Sequence, residues 1–571
     1  MGTVLEKGAA DVLSLRETAD AAPTALPAQN WILDPFQDAV YILAAPFIVL
    51  ALALSAFLVL EPAAATALII GVHIVFTVAH HMPTFIRIYG DVELLRRFRW
   101  SLLLAPAIPF TFSLAILGYI NIKGYPVEYI LVLYLMLAVW DPWHFLMQHY
   151  GFMRIYDRPN AAPRWLAARM DLLLCVSWFV FIMLASGYWL PALLADLYGS
   201  AHLPVLMAVS ARTLSTLTEF AGFCAIAMAI AYGFYLLWCR RQRYFISFAK
   251  LALFVSTFTV MYLAYTPNPW MARAAPGWTF KVGFAAVGIV HMTQYLAIVW
   301  RYNRSIALRP ERARSGRFRS LHVRGGWLAG LGYVAFCLFY GGLLTTKHEV
   351  RWLASVLLAV GFTSTLTHYY FDGFIWKLRH GQNRENLLPG RATDSWWTAS
   401  RPRSAAQTLF RHALYFGVPM AVLTFGAVSV WAHRGASYVE HMYRANDLGT
   451  QGLAADAAHE GRLAFTAMEQ QLPYVRRLAE LQPTSSREAE LAFLIYNHAR
   501  YAYLVIPALD GSQPSAREHE TGAYRAGIEE AIRVLQHAAD RGGSLGHFGR
   551  EGMTVEDARG VIENWKRISA Q

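Results

Sequence analysis

Long apolar segments alternate with short polar stretches along most of the chain. A helix needs about 20 predominantly apolar residues to cross the hydrocarbon core of a membrane. About eleven segments approach that length, so the pattern predicts an all-α fold: a polytopic integral-membrane helical bundle of about 11 spans. The segments start near Asp38, Ala63, Leu102, Val127, Met170, Leu217, Ile246, Phe280, Trp327, Trp352 and Ala413.

The same pattern divides the chain into three parts. Residues 1–36 mix charges with alanine and predict a flexible N-terminal leader. Residues 37–433 contain the apolar segments and form the predicted transmembrane, metal-binding bundle. Residues 434–571 are polar and rich in alanine and glutamate, with apolar residues at helical spacing, and predict a soluble helical C-terminal domain. We expect this domain to lie outside the membrane and to be able to bind a protein partner.

The distribution of basic residues predicts the orientation of the bundle. Arginine-rich stretches such as RIYGDVELLRRFR and RYNRSIALRPERARSGRFR follow the even-numbered segments. Loops facing the cytoplasm carry an excess of lysine and arginine. The N-terminus is therefore predicted in the cytoplasm, the C-terminal domain on the outer, periplasmic side, and the protein in the inner (plasma) membrane as a multi-pass protein.

Composition supports the membrane assignment and argues against nucleic-acid binding. The 571 residues are 56% hydrophobic and 15% charged, which is too apolar for a soluble globule. The formal net charge of +12 comes from short basic runs beside apolar segments rather than from one long basic patch. The positive charge is thus typical of cytoplasmic loops, and we predict no nucleic-acid partner.

Histidines inside the apolar segments are the strongest chemical signal. Ionisable groups are costly in hydrocarbon, so a cluster of them indicates a functional site. Imidazole is also the commonest side-chain metal ligand. The sequence therefore predicts a metal site inside the membrane. The seven histidines are His73, His80, His81, His144, His149, His291 and His368.

Four even-numbered segments share one layout: an apolar run, histidine, aromatic residues and then a basic end. They read GVHIVFTVAHHMPTFIRIYG, VWDPWHFLMQHYGFMRIYD, GIVHMTQYLAIVWRYNR and TLTHYYFDGFIWKLR. At the helical rise per residue, His80 lies roughly 10 Å from Arg87, and the histidines of the other three segments lie roughly 14 to 15 Å from their basic ends. We therefore expect four helices that run in the same direction to present histidines at one depth.

Carboxylates and a tyrosine accompany these histidines. Asp372 follows His368 by one helical turn and shares its face, so it is a predicted ligand and catalytic residue. Asp141 precedes a proline that loosens the helix, and Tyr295 lies on the face of His291; both are predicted catalytic residues. The adjacent pair His80 and His81 should point about 100° apart on a continuous helix, so one of them is expected to orient a ligand rather than bind metal.

This inventory exceeds the needs of a single metal. A catalytic zinc takes three protein ligands and keeps one position open. Seven imidazoles with carboxylates instead suit two metals, and imidazole-rich nitrogen and oxygen coordination suits iron that handles dioxygen; zinc and copper remain alternatives. The predicted metal ligands are His73, His80, His81, His144, His149, His291, His368 and Asp372.

Histidine-rich helices with metals near the cytoplasmic face resemble the integral-membrane non-heme di-iron desaturases and hydroxylases of the fatty-acid hydroxylase type. The resemblance spans residues 63–380 and is architectural. That family carries HxxxH and HxxHH boxes, whereas this chain has HxxxxxxHH from His73 to His81 and HxxxxH from His144 to His149, so no box matches. The resemblance implies two non-heme irons, O2, a cytoplasmic electron donor, and hydroxylation, desaturation or a related oxidation of a lipid or other hydrophobic substrate.

Two other functions fit intramembrane histidines. A heme-binding electron-transfer protein would use them as axial ligands, although stacked hemes need histidines at two depths and three of the segments offer only one. A metal or proton transporter would use histidine and aspartate as a relay, although the sixth segment lacks a histidine and interrupts the repetition. Metal content together with an optical spectrum separates these alternatives.

Overall fold

A computed structural model of the protein describes residues 29–90, 92–123, 131–201, 205–308, 326–346, 350–375, 438–509, 518–542 and 553–570, with isolated positions at 410–428 and 545. Within these residues the chain forms helices and no strands, which confirms the all-α prediction.

The bundle region contains twelve main helices in the part of the chain that the structure describes, together with short helical turns such as Pro35–Asp38, Ala39–Leu43, Val205–Ala208 and Pro269–Ala274. The main helices are α1 (Ala45–Val59), α2 (Pro62–Ala79), α3 (His81–Gly90), α4 (Val92–Lys123), α5 (Leu131–Tyr156), α6 (Arg164–Ala185), α7 (Trp189–Ala201), α8 (Ala211–Arg241), α9 (Phe248–Tyr265), α10 (Phe280–Ala307), α11 (Gly326–Thr345) and α12 (Arg351–Ile375).

Apolar helices of membrane-spanning length fit a membrane protein. Ten of the eleven predicted segments fall on these helices, and the segment near Ala413 lies outside the described residues except for isolated positions. By length and composition, six described helices are able to cross a membrane, or seven if Pro35–Leu43 and Ala45–Val59, which meet at a 48° bend, form one span. The six are Pro62–Gly90, Leu102–Lys123, Arg164–Ala185, Ala211–Arg241, Phe248–Tyr265 and Phe280–Ser305.

Two long helices that carry predicted site residues are not among these six. Helices α5 and α12 contain 26 and 25 residues, enough to span at the helical rise per residue. Their sequences include histidine, aspartate, glutamine and several hydroxyl residues, which lower their average hydropathy. The polar groups of the candidate site thus lower the mean hydropathy by which these two helices would be recognised as membrane spans.

Close helix contacts bring the histidine helices together. Helix α2 packs between α10 and α11, and α12 packs along α4. A Cβ atom at Gly288 of α10 would overlap the His73 ring, and one at Gly341 of α11 would overlap the backbone carbonyl of Val75. Small residues at such positions let membrane helices approach closely. The two glycines therefore set how near α10 and α11 lie to α2.

A buried ionic cluster joins α5, α6 and α9. The Lys250 ammonium donates to Asp157 at 2.7 Å and to Asp171 at 3.2 Å, and Arg154 pairs with both carboxylates. The Tyr232 hydroxyl from α8 also donates to Asp171. Two cations balance two carboxylates, so the cluster buries its charges in pairs, as low-dielectric surroundings require. It fixes one end of the bundle.

The C-terminal helices have a hydrophobic core of their own. Ile528 and Leu535 are fully buried in it, and Tyr496 stacks on Trp565 with ring centroids 4.4 Å apart. One of these helices, Ala454–Leu481, also contacts α7 of the bundle: the Tyr474 hydroxyl donates to the carbonyl of Ala195 at 2.9 Å. The main helices are α13 (Tyr438–Thr450), α14 (Ala454–Leu481), α15 (Ser485–Arg500), α16 (Glu518–Arg541) and α17 (Val555–Ala570).

Candidate metal centre

Histidines from four parts of the bundle meet in its interior. The ring centroids of His80 and His368 lie 4.7 Å apart, those of His144 and His368 5.0 Å, and those of His144 and His291 5.2 Å. These side chains come from the α2–α3 junction, α5, α10 and α12. The convergence that the sequence predicted is therefore present among the described residues.

The adjacent histidines both face the cluster, at a one-residue break between α2 and α3. Helix α2 ends at Ala79, His80 caps it, and α3 begins at His81. His80 Nδ1 lies 3.3 Å from the carbonyl oxygen of Phe76 in the last turn of α2. The two imidazole rings are 4.6 Å apart. The expectation that only one of them faces the site assumed a continuous helix, which the structure does not have.

Ligand atoms form two groups that share one residue. One group contains His80, His81 and His368, and the other contains His144, His368 and Asp372; within each group the atoms lie no more than 4.8 Å apart. An Asp372 carboxylate oxygen is 3.7 Å from Nε2 of His144 and 3.6 Å from Nε2 of His368. One imidazole nitrogen gives its lone pair to one metal, so Nε2 of His368 is available to either group but not to both. On one side of His368 the structure offers His80 and His81, and on the other side it offers His144 and Asp372.

Unsatisfied ring nitrogens show that this donor set fits metal ions. Buried polar atoms normally have a hydrogen-bond partner, so each exception needs an explanation. A metal ion provides one, since a ligating nitrogen gives its lone pair to the metal. Among the described residues, the buried ring nitrogens of the bundle without a hydrogen-bond partner are Nε2 of His80, His81, His144 and His368, Nδ1 of His291, and both nitrogens of His149, which lies outside the two groups.

Hydroxyl groups hold the opposite nitrogens of two of these histidines. His81 Nδ1 is 3.0 Å from the Ser364 hydroxyl, and His368 Nδ1 is 3.3 Å from the Thr84 hydroxyl. Histidine ligands of metals usually have their second nitrogen fixed in this way, which sets the tautomer and the ring orientation. Sequence reasoning missed both hydroxyl residues, because serine and threonine are common in membrane helices and carry no spacing signal.

Tyr295 and Asp372, two of the predicted catalytic residues, are hydrogen bonded to each other. The Tyr295 hydroxyl donates to Asp372 at 3.0 Å and is also hydrogen bonded to Thr84. Its ring lies 5.2 Å from that of His368. Tyr295 therefore connects α10 to the α3 and α12 sides of the cluster and orients the carboxylate towards the histidines.

Asp141 lies next to the cluster rather than within it. The Tyr369 hydroxyl donates to Asp141 at 2.8 Å, and the Tyr369 ring packs against His144 with centroids 4.8 Å apart. Asp141 belongs to neither group of ligand atoms found among the described residues. Its contact with the centre runs through Tyr369, a residue that the sequence analysis did not single out.

Three of the predicted histidine ligands lie outside both groups. His73 packs against Phe284 at 5.8 Å, and His149 packs against Phe258 at 5.2 Å. The His291 ring touches the cluster, but its ligand atoms are not within the distance that defines the two groups. The geometry thus favours five of the eight predicted ligands: His80, His81, His144, His368 and Asp372.

No family model, curated protein or solved structure matches this chain.

Proposed function

We propose that the protein is a membrane-embedded, non-heme, dinuclear metal oxidoreductase that uses O2 to oxidise a lipid or another hydrophobic substrate. The observation that carries the proposal is the pair of ligand groups that share His368 within apolar helices. A dinuclear centre buried in a membrane suits a substrate that dissolves in the membrane.

Iron is the proposed metal, with zinc and copper as the alternatives. Imidazole nitrogens with a carboxylate oxygen suit iron that handles dioxygen. Two irons bound by these residues would supply the dioxygen activation that the protein's own side chains lack. In a hydroxylation, one atom of O2 enters a C–H bond of the substrate and the other leaves as water, with two electrons and two protons from a cytoplasmic donor; a desaturation uses the same O2 and electrons to remove two hydrogens and releases two waters.

The protein's own residues would hold and orient this centre. Tyr295 fixes the Asp372 carboxylate, and Ser364 and Thr84 fix the rings of His81 and His368. Asp141 and Tyr369 stand beside His144 as a hydrogen-bonded pair that is placed to hold or move a proton at the edge of the centre. Because catalytic distances tolerate little error, this supporting layer matters as much as the ligands.

The proposed topology has about eleven spans, with the N-terminus in the cytoplasm and the C-terminal domain outside. Helices α5 and α12 run in parallel, since Leu137 packs near Leu358 and His144 lies beside Asp372. The C-terminal helices contact Ala195, beyond the end of α6 that is opposite its buried Asp171. An eleventh span near Ala413 would return the chain from the end of α12 to that side.

The heme alternative is disfavoured by the spacing of the rings. A heme with two axial histidines must fit its macrocycle between the two imidazoles. The ring centroids that contact one another in the cluster of His80, His81, His144, His291 and His368 are only 4.6 to 5.7 Å apart, which leaves no gap for a macrocycle between them. The second alternative, a transporter, would place the same histidines and aspartate along a permeation path, and metal content distinguishes it from the oxidoreductase.

Elemental analysis of the purified full-length protein in detergent, together with its optical spectrum, tests the proposal. We expect two irons per chain, no Soret band, and oxygen consumption when a reductant and a membrane lipid extract are added. A Soret band would support the heme protein, and a resting protein that holds no metal would support transport. Comparison of lipids from cells with and without the gene identifies the oxidised product.

A further inference from the structure

A cavity of about 580 Å³ begins beside the metal centre. Asp141, His73 and Tyr369 line it at the side of the centre, while Tyr188 and Trp189 line it where α6 gives way to α7. This volume falls within the range of roughly 300 to 1,000 Å³ found for small-molecule sites. The cavity thus connects one end of the bundle with the candidate metals.

Polar groups are unevenly distributed along the cavity wall. Asp141, His73 and Tyr369 face it close to the centre, and among its described lining residues no other side chain is acidic or basic. Three threonines also line it, but their hydroxyls donate to carbonyls of their own helices: Thr77, Thr345 and Thr365. The rest of the wall is mainly hydrocarbon and aromatic. Apolar lining residues include Ile74, Leu137, Leu193, Phe284, Leu344 and Phe362.

We propose that this cavity binds a single apolar chain, the hydrocarbon chain of a lipid, with one part of the chain beside Tyr369 and the other leaving past Tyr188. An apolar wall stabilises such a chain through the hydrophobic effect. Tyr369 packs against His144, so a chain that fills the cavity brings a C–H bond to the edge of the centre. The inference rests on the proposed oxidation and narrows its substrate to a lipid with a long apolar chain.

The C-terminal helices hold the wall at the outer end of this cavity. The Gln482 side-chain amide donates to the carbonyl of Tyr188 at 2.9 Å, and Leu478 and Leu481 belong to one apolar cluster with Leu194. The Tyr188 ring in turn stacks on Phe280, another lining residue, with centroids 5.0 Å apart. The C-terminal domain therefore positions the residues between which the chain has to pass.

Gly361 is a position from which a larger side chain can reach into the cavity. It lines the cavity, and a Cβ atom added there meets no heavy atom within 4 Å. Gly361→Phe should therefore place its ring in the space that the apolar chain needs. Gly71 is the matched control, because it is exposed on α2 and a Cβ there also meets nothing within 4 Å.

Photo-crosslinking tests the proposal on the full-length protein in detergent. The probe is a long-chain alcohol with a diazirine near its methyl end, and mass spectrometry locates the attached carbon chain. We expect labels on cavity residues such as Phe284 and Leu358 in the native protein. Gly361→Phe should lower them about tenfold or more, which corresponds to a loss of about 1.4 kcal/mol of binding free energy, while Gly71→Phe should leave them unchanged.

Metal analysis of the same samples separates this inference from the proposed function. His368→Ala should lose metal and keep the cavity labels, because the probe binds without chemistry at the centre. Labels confined to the lipid-facing surface, or equally strong in Gly361→Phe, would overturn the cavity assignment even if iron is bound. Cavity labels in a protein that never holds metal would preserve the binding site and reject the oxidation.

Discussion

His368 occupies the position on which both ligand groups depend. Its side chain is fully buried, and its Nε2 is among the buried atoms that lack a hydrogen-bond partner. We predict that His368→Ala removes most of the bound metal, because the substitution takes away the one ligand that both groups include. The measurement is metal per chain by elemental analysis after purification in detergent.

His149→Ala is the matched control for that substitution. His149 is also a buried histidine of the bundle, at 2% exposure, but it packs against Phe258 and belongs to neither group. We expect this variant to keep its metal. Equal metal loss in both variants would mean that the effect follows from a disturbed core and not from ligation, and full retention in His368→Ala would reject the shared site.

A substitution at Tyr295 tests the hydrogen bonds that orient the metal ligands. Tyr295→Phe removes the hydroxyl that donates to Asp372 while it keeps the buried ring. Loss of such a supporting contact typically costs about 10-fold to 100-fold in metal affinity or activity. Competition with a chelator should reveal this loss. Tyr262→Phe, at a residue that is 40% exposed on α9, is expected to leave affinity unchanged.

Individual residues also mark the limit of prediction from sequence. The histidines and Asp372 were predictable, since ionisable groups are rare in membrane segments and carry a functional meaning there. Ser364, Thr84 and Tyr369 were not, because hydroxyl and aromatic residues are common in such helices. Which histidines meet depends on how the helices are rotated about their axes, and a periodic pattern does not fix that rotation between helices.

At the scale of elements, apolar length predicted where helices occur but not where they break. Ten predicted segments coincide with helices, yet nothing in the run from Ala63 onward indicates that α2 ends before His80. Two neighbouring imidazoles at this break both belong to one ligand group. The polar residues of α5 and α12 lower the mean hydropathy of these two helices, so they are not among the six that qualify as spans by composition.

Helix spacing gives a prediction at this scale. Gly288→Ala places a methyl group where the His73 ring lies, so α10 and α2 must shift apart or the ring must move. Overpacking of this kind costs about 1 to 3 kcal/mol. The thermal unfolding midpoint of the detergent-solubilised variant should fall. Gly151→Ala on α5, where a Cβ atom meets nothing within 4 Å, should keep the native midpoint, and a similar fall there would point to a general intolerance of alanine.

At the scale of the whole molecule, we expect the stability of the C-terminal helices to depend on pH. Burial lowers the pKa of His498 below its ordinary value of 6.5, and its ring stacks on Phe465 at 4.8 Å. The unfolded state therefore binds a proton at a higher pH than the folded state. The stability of this domain should be unaffected by His498 well above pH 6.5 and should fall as the pH drops through that value towards the folded pKa.

Hydrogen exchange of α14 and α15 in the full-length protein measures this effect. Exchange should accelerate between about pH 7 and about pH 5 after correction for the intrinsic rate, since the local unfolding free energy decreases. His498→Phe keeps a ring in place and removes the titration, so its corrected exchange should change less over the same interval. An identical pH dependence in both proteins would assign the response to other groups.

The contact between α14 and the bundle links the C-terminal domain to the candidate centre. Gln482→Ala removes the amide that donates to Tyr188, and Tyr474→Phe removes the hydroxyl that donates to Ala195. Neither residue touches the ligand groups, so the double variant should keep the native metal content. The cavity wall then lacks the two hydrogen bonds that α14 makes to Tyr188 and Ala195. We expect oxidation of a long-chain lipid to decline while metal per chain stays constant. The same double variant with reduced metal would show that the domain supports the fold of the whole bundle, whereas native activity would show that the wall keeps its position without α14.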